Sequence, residues 1–302
     1  MRIGIDLGGT KTEIIVLGQS GEEVLRERLP TPANDYEKIL QTIRDLVSSA
    51  EKRIGTRCPV GVGIPGAVSS LTGKIKNANT TCLIGKPLRE DLERILERPV
   101  RLENDANCFA LSEATDGAGA GSDVVFGVIL GTGVGGGIVV NGQTLRGVNS
   151  IGGEWGHNPI PWPFDDERPG PACYCGKHGC IETFLSGPGL RQVHLRAYGL
   201  DLEPSEIARR ADLGDAECEM TLRRYEDRLA RSLATVMNIL DPDVIVLGGG
   251  LSNLKRLYEN VPKIWGKYVF SDEVRTRLVP AKFGDSSGVR GAAWLWPEGQ
   301  RA

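Results

Sequence analysis

Gly4-Ile-Asp-Leu-Gly-Gly-Thr-Lys-Thr-Glu-Ile-Ile-Val-Leu-Gly18 lies without gaps on a later stretch, Gly127-Val-Ile-Leu-Gly-Thr-Gly-Val-Gly-Gly-Gly-Ile-Val-Val-Asn141. Both read as strand, glycine turn, strand: runs of Ile, Val and Leu flank a turn whose glycines let the chain reverse tightly. A repeat at this distance predicts two related domains facing each other. One position breaks the likeness. Asp6 in the first copy stands where Ile129 stands in the second, so the two turns are expected to have unequal roles.

Two familiar readings of the glycines fail on context. Gly131-Thr-Gly-Val-Gly-Gly136 satisfies the dinucleotide pattern G-x-G-x-x-G, but that fingerprint opens a helix. Here Ile138-Val-Val140 and the hairpin-type pair Asn141-Gly142 follow. Gly4 to Gly9 has P-loop spacing, yet Thr10 holds the lysine position and a β-branched strand comes next. What remains is a pair of β-hairpins whose turns offer backbone N–H groups to phosphate oxygens. A third glycine turn, Gly248 to Gly250, follows the buried-type strand Val244 to Leu247. A lone glycine hairpin is more often only a tight turn. The repeat, the asymmetric acid and the third turn together favour a phosphorylated ligand, with Asp6 placed to hold Mg²⁺ through water near the β- and γ-phosphates.

Around these turns the chain reads as an ordinary globular protein. Of 302 residues, 40% are hydrophobic and 25% charged, and the net charge of -3 comes without a Lys/Arg run, which argues against nucleic-acid or anionic-membrane partners. No signal segment precedes the first strand, and no apolar run nears the roughly 18 residues of a membrane span. Strands are expected at Arg2 to Leu7, Thr12 to Leu17, Val24 to Leu29, Val60 to Ile64 and Val100 to Leu102. A helix beginning at Asp35 carries Ile39, Leu40, Ile43, Leu46, Val47 and Ala50 at helical spacing, and others cover Asn104 to Ala114, the stretch ending at Leu240, and Ser287 to Trp296. Gly117 to Gly121 reads as a linker. The expected domains are 1–117 with a returning C-terminal helix at about 286–302, and 118–285.

Two constellations carry chemistry. Phosphoryl transfer to a hydroxyl needs a carboxylate to accept the proton, and Asn104-Asp105 sits where a strand meets a helix. Either residue could equally be a helix cap; on the residues alone the two readings stand level. Seven cysteines without a secretion signal suggest a reducing cytoplasm. Three of them, Cys173, Cys175 and Cys180, are spaced C-x-C-x4-C, which with one imidazole would make a tetrahedral structural zinc site. His178 lies between two of those ligands on a short tether, whereas His157 would tie a second loop to the first, so His157 is the expected fourth ligand. Glu154 and Glu182 flank the cluster; paired carboxylates suit a polyol, although an arbitrary Glu is more often a surface acid.

Asp6-Leu-Gly-Gly-Thr-Lys-Thr12, Gly131-Thr-Gly-Val-Gly-Gly-Gly137 and Leu247-Gly-Gly-Gly250 resemble the nucleotide motifs of the ROK family (repressors, open reading frames, kinases). The resemblance covers nearly the whole chain. It implies an α/β, duplicated actin-like fold (hexokinase-type, ribonuclease H-like) with a cleft between two domains, and an ATP-dependent sugar kinase. It implies ATP and Mg²⁺ held by Asp6, Gly8, Gly9, Thr10, Lys11, Thr12, Gly131, Thr132 and Gly133, with Gly248, Gly249 and Gly250 near the adenosine. Glu103-Asn-Asp-Ala-Asn-Cys108 matches the family's catalytic segment, which makes Asp105 the base and Asn104 a sugar contact. Gly153-Glu-Trp-Gly-His157 and Gly179-Cys-Ile-Glu182 resemble its sugar-contacting segments. They add Glu154, Glu182 and His157, the last with one ring nitrogen on zinc and the other toward the sugar, beside a backbone contact from Gly66; Asn79 is a weaker candidate.

Asn77-Ala-Asn-Thr80, Gly156-His-Asn-Pro-Ile-Pro-Trp162, Cys173-Tyr-Cys-Gly-Lys177 and Gly291-Ala-Ala-Trp-Leu-Trp296 resemble fructokinases of manno(fructo)kinase type. They imply transfer to the 6-hydroxyl of fructose, with mannose or glucose as further hexoses. N-acetylglucosamine kinases share Glu103 to Glu113 and the Gly131 motif and are the alternative. A sugar-sensing repressor would need a helix-turn-helix ahead of the first motif, where three residues leave no room, and intact Asp6 and Asp105 speak against a non-catalytic binder. A homodimer is the family-level expectation.

Overall fold

The computed structural model describes residues 1–32, 34–78 and 80–297. Its strands and helices follow the hydrophobic periods closely. β1 (Arg2–Leu7), β2 (Lys11–Leu17) and β3 (Glu23–Pro30) precede α1 (Tyr36–Ile54), whose N-cap is Asp35, its carboxylate accepting the Lys38 N–H. Then come β4 (Val60–Ile64), the short hairpin β5 (Ala67–Val68) and β6 (Ile75–Lys76), α2 (Leu88–Leu96), β7 (Val100–Asn104) and α3 (Asp105–Thr115). The repeat supplies β8 (Val124–Leu130) and β9 (Val134–Val140), followed by β10 (Gln143–Thr144). α4 (Glu182–Leu185), α5 (Gly187–Tyr198), α6 (Pro204–Asp212) and the long α7 (Ala216–Leu240) lead to β11 (Val244–Gly248), α8 (Arg256–Trp265), β12 (Arg277–Pro280) and α9 (Ser287–Trp294).

The duplication read from the glycine motifs is written in the sheets. One has the order β3-β2-β1-β4-β7 and the other β10-β9-β8-β11-β12. In the first, β1, β4 and β7 run parallel while β1-β2-β3 is an antiparallel meander. In the second, β8, β11 and β12 run parallel and β10 lies antiparallel to β9. Parallel central strands are covered on both faces, which is why β4 and β11 are buried along their whole length.

The chain divides into two compact units, residues 1–121 with 137–153 and 285–302, and residues 122–136 with 154–284. This corrects the expected division, which gave 137–153 to the second domain. The reason is close packing: a Cβ on Gly137 would stand 2.3 Å from the Ala106 carbonyl oxygen, and Arg146 pairs with the buried Glu103. In the first unit α9 lies on β1 and β4 at backbone distance. A Cβ on Gly4 would meet the Val289 carbonyl at 2.2 Å, and one on Gly61 would meet that of Ala292 at 1.9 Å, so only glycine fits there. Around this contact Ile3, Ile5, Ile14, Val60, Val62 and Ile64 are wholly buried. Burying each such side chain contributes about 1.5–3 kcal/mol.

In the second unit the apolar stripe of α7, through Leu222, Tyr225, Leu229 and Leu233, is buried, and so are Val244 to Leu247 of β11. Glu167, itself buried, accepts from Arg228 at 2.7 Å and from Arg231 at 3.0 Å, so three charged side chains are paired inside this unit. No helix among the described residues is long and apolar enough to cross a membrane.

Candidate functional site

The first glycine turn closes with the Gly8 N–H donating to the Lys11 carbonyl at 3.0 Å. Gly9, Thr10 and Lys11 are exposed, and among the described residues the N–H groups of Gly9 and Thr10 have no hydrogen-bond partner. Those are the donors an anion needs. Thr12 is different. It is 1% exposed and its hydroxyl is held 2.9 Å from that of Thr31. The sequence placed Thr12 among the nucleotide contacts; in the structure its hydroxyl is buried against Thr31 instead.

Asp6, at the end of β1, is pushed up from an ordinary 3.8 to about 7. Burial is the main cause, followed by the nearby carboxylates of Asp105 and Glu13, against which Lys11 and Arg28 act more weakly. A carboxylate in this position gains from any cation brought beside it.

Asn104 and Asp105 divide the two roles that the sequence left level. Asn104 is the N-cap of α3: its side-chain oxygen accepts the N–H groups of Ala106 at 2.9 Å and Asn107 at 3.3 Å. Its amide nitrogen donates to the Gly66 carbonyl at 3.0 Å, leaving one of its two N–H donors for another acceptor. Asp105 is the first helical residue and half-buried, its carboxylate accepting the Ala106 N–H at 2.8 Å. Gly66 has φ 88°, and a Cβ there would stand 2.5 Å from the Lys76 carbonyl. A side chain is barred where the chain turns toward Asn104. Asn79 lies outside the described residues.

The second unit holds the remaining candidates. Gly131 donates to the Gly133 carbonyl at 3.0 Å, closing the second turn, and Gly187 donates to the Gly131 carbonyl at 2.8 Å. Glu182, first residue of α4, accepts the Val134 N–H at 3.0 Å. The sequence linked Glu182 to the cysteine cluster and to the sugar; it also grips the glycine turn. Gly249 lies against the end of β8, where a Cβ would stand 2.5 Å from the Leu130 carbonyl, so the third turn adjoins the second. Glu154 is exposed, and its carboxylate has no hydrogen-bond or ion-pair partner among the described residues.

His157 lies with the three thiols, and His178 does not: the donor atoms of His157, Cys173, Cys175 and Cys180 are all within 4.8 Å of one another. Backbone ties set this geometry, including Ile160 N–H to Gly179 at 2.8 Å, Ile181 N–H to Asn158 at 2.9 Å and Cys173 N–H to Lys177 at 2.8 Å. His157 Nδ1 is 3.6 Å from Cys173 Sγ, and Cys175 Sγ is 3.6 Å from Cys180 Sγ. A tetrahedral zinc ion with Zn–S of about 2.3 Å separates its sulfurs by about 3.8 Å, so the donor set fits that ion. The other ring nitrogen, Nε2, is 2.9 Å from the Tyr174 hydroxyl. The family resemblance assigned one ring nitrogen to zinc and the other to the sugar; in the structure the hydroxyl of the residue between the first two cysteines stands beside Nε2, and nothing in the spacing C-x-C announced that. Tyr174, beside His157, is a residue that sequence reasoning did not single out.

The ROK family pattern matches residues 2–299 of this chain. The N-acetyl-D-glucosamine kinase of Yersinia pseudotuberculosis serotype O:3 (strain YPIII) is 40% identical over 299 residues, covering 98% of each chain. Among solved structures, a ROK hexokinase from Thermus thermophilus is similar with a TM-score of 0.86 and 32% identity, over 97% of this chain and 96% of that one. A ROK family glucokinase from Streptomyces griseus, in complex with glucose and AMPPNP, gives a TM-score of 0.78 at 29% identity over 99% of both chains.

Proposed function

This chain belongs to the ROK family and has its actin-like fold, and from that premise we propose that it transfers the γ-phosphoryl group of ATP to the 6-hydroxyl of N-acetyl-D-glucosamine. The observation that carries the sugar is the 40% identity, along 98% of both chains, with an N-acetyl-D-glucosamine kinase. Fructose, which came first in the sequence, becomes the second reading. It is favoured by Gly156-His-Asn-Pro-Ile-Pro-Trp162 and Gly291-Ala-Ala-Trp-Leu-Trp296, segments that resemble fructokinases.

Asp105 acts as the general base, accepting the proton of the attacking hydroxyl from the rigid start of α3. Asn104, fixed by its cap and by Gly66, donates its remaining N–H to a sugar hydroxyl. The first turn offers the N–H groups of Gly9 and Thr10 to phosphate oxygens, and the second offers those of Thr132 and Gly133. Asp6 would hold Mg²⁺ through water, and the ion would supply positive charge to offset that of the phosphates. Glu154 and Glu182 accept from sugar hydroxyls. His157, Cys173, Cys175 and Cys180 would hold zinc in a closed four-ligand set, which leaves no open position for substrate and so braces the loops carrying both glutamates.

An ADP-release assay across N-acetylglucosamine, fructose, mannose and glucose tests the assignment. N-acetylglucosamine is expected to give the highest kcat/KM. A higher value for fructose would replace the sugar while leaving the kinase in place.

A further inference from the structure

Thr31 follows β3, between Pro30 and Pro32, outside every motif the sequence singled out. It is 7% exposed, yet its N–H and its hydroxyl both reach the first glycine turn. Its N–H donates to the Thr10 carbonyl at 3.0 Å, and its hydroxyl donates to the Gly8 carbonyl at 2.7 Å. A hydroxyl has one proton to give, so the 2.9 Å contact with Thr12 must run the other way, Thr12 donating to Thr31. The order of donors is therefore fixed: Thr12 to Thr31 to Gly8.

We infer that Thr31 is the positioning residue of the nucleotide turn, setting the direction of its phosphate donors without touching the nucleotide. A peptide unit is planar and trans, so its C=O and N–H point opposite ways. Drawing the Gly8 carbonyl to Thr31 turns the Gly9 N–H away from Thr31. Drawing the Thr10 carbonyl to the Thr31 N–H turns the Lys11 N–H the same way. Two peptide planes of one turn are clamped by a single residue, which aims the Gly9 N–H at the outer side and fixes both ends of the peptide unit between them, the one that carries the Thr10 N–H. Gly8 and Gly9 would otherwise be the most freely rotating part of the turn, having no side chain to limit them. Pre-aimed donors bind an anion without first losing that freedom.

The inference rests on reading the first turn as a phosphate site, and the test separates the two. Thr31→Val keeps the shape and removes the hydroxyl; Thr31→Ser keeps the hydroxyl and removes a methyl. KM for ATP of Thr31→Val is expected to rise about tenfold or more while KM for the sugar stays within twofold, and Thr31→Ser is expected to restore KM for ATP to within about threefold of the parent. A merely structural role would move both substrates together. Thr12→Val removes the outer donor but leaves the Gly8 bond, so its KM for ATP should change about threefold or less, and this variant decides the matter if Thr31→Val does not fold. An unchanged KM for ATP in Thr31→Val, a Thr31→Ser as defective as Thr31→Val, or a Thr12→Val tenfold impaired overturns the proposal. Gly9→Val, which places bulk on the exposed turn itself, tests the turn: if it leaves KM for ATP unchanged, the phosphate reading fails instead.

Discussion

Replacing Asp6 by Asn should change how the stability of the ligand-free protein depends on pH. In the folded chain burial and the neighbouring carboxylates Asp105 and Glu13 raise the Asp6 pKa to about 7, against 3.8 when unfolded. The folded state therefore binds a proton more tightly than the unfolded one. Between about pH 4 and 7 the unfolded chain has lost this proton while the folded chain still holds it, so stability falls as pH rises through that window. Below it the effect vanishes, and above it the penalty is complete. Roughly three pH units at about 1.4 kcal/mol each set a ceiling of about 4 kcal/mol, of which about 2–3 kcal/mol develops between pH 5 and 8. Asn cannot ionise, so Asp6→Asn should lose this slope and become more stable than the parent as pH rises.

Urea unfolding at pH 5, 6, 7 and 8, without nucleotide or magnesium and with any zinc left in place, measures the difference between the two proteins. Parallel stability curves across that range would refute the placement of Asp6 in a desolvated, acid-lined position. The same shift has a catalytic counterpart, since kcat/KM for ATP reports ionisations of the free enzyme. It should fall as pH drops below about 7, while Asp6→Asn is inactive throughout.

Asp105→Ala should abolish phosphoryl transfer, lowering kcat by about 10²–10⁴ with an unchanged circular dichroism spectrum; turnover within tenfold of the parent would remove Asp105 as the base. Stripping metal with a strong zinc chelator should raise KM for the sugar and lower the unfolding temperature, while readded Mg²⁺ leaves KM for ATP near its starting value. Full sugar affinity in protein shown to be zinc-free would end the bracing role of the cysteine cluster. Glu167→Ala leaves Arg228 and Arg231 buried without their shared carboxylate and should cost about 3–5 kcal/mol in urea unfolding. A loss below about 1 kcal/mol would mean that water reaches the pair.

Local features of the fold were legible because the sequence states them locally. Runs of Ile, Val and Leu beside glycine turns located β1, β2, β8 and β9, Asp35 marked the start of α1, and the gapless repeat anticipated a duplicated fold. The spacing of Cys173, Cys175 and Cys180, with the tether argument for His157, located the four-donor cluster. What stayed hidden depends on where a side chain goes after folding. Thr12 belongs to the nucleotide motif in sequence, but in the fold it is buried against Thr31, a residue 19 positions away. The second ring nitrogen of His157 meets Tyr174 because two loops are sewn together by backbone bonds that no residue type specifies. Residues 137–153 followed the first unit because of Gly137 and Arg146, whose partners Ala106 and Glu103 are remote in sequence.

The asymmetry of Asp6 and Ile129 can now be given a physical form. Each glycine turn has a carboxylate, but the two reach it differently. In the first turn the acid comes from the strand itself, and burial with the neighbouring carboxylates raises its pKa to about 7. In the second, Ile129 offers no charge, and Glu182 is brought in by α4 to take the Val134 N–H at 3.0 Å; a Cβ on Gly133 would stand 2.7 Å from the same carboxylate oxygen. A phosphate cannot share that N–H with a carboxylate without like-charge repulsion. The second turn therefore keeps only the donors of Thr132 and Gly133 for an anion, and Val134 serves to hold Glu182. Replacing Glu182 by Gln should thus disturb both ligands, because a neutral side chain loosens its grip on Val134 and loses an acceptor for the sugar. The expected result is a rise in KM for the sugar together with a smaller rise in KM for ATP. An effect confined to the sugar would show that the Val134 bond plays no part in shaping the second turn.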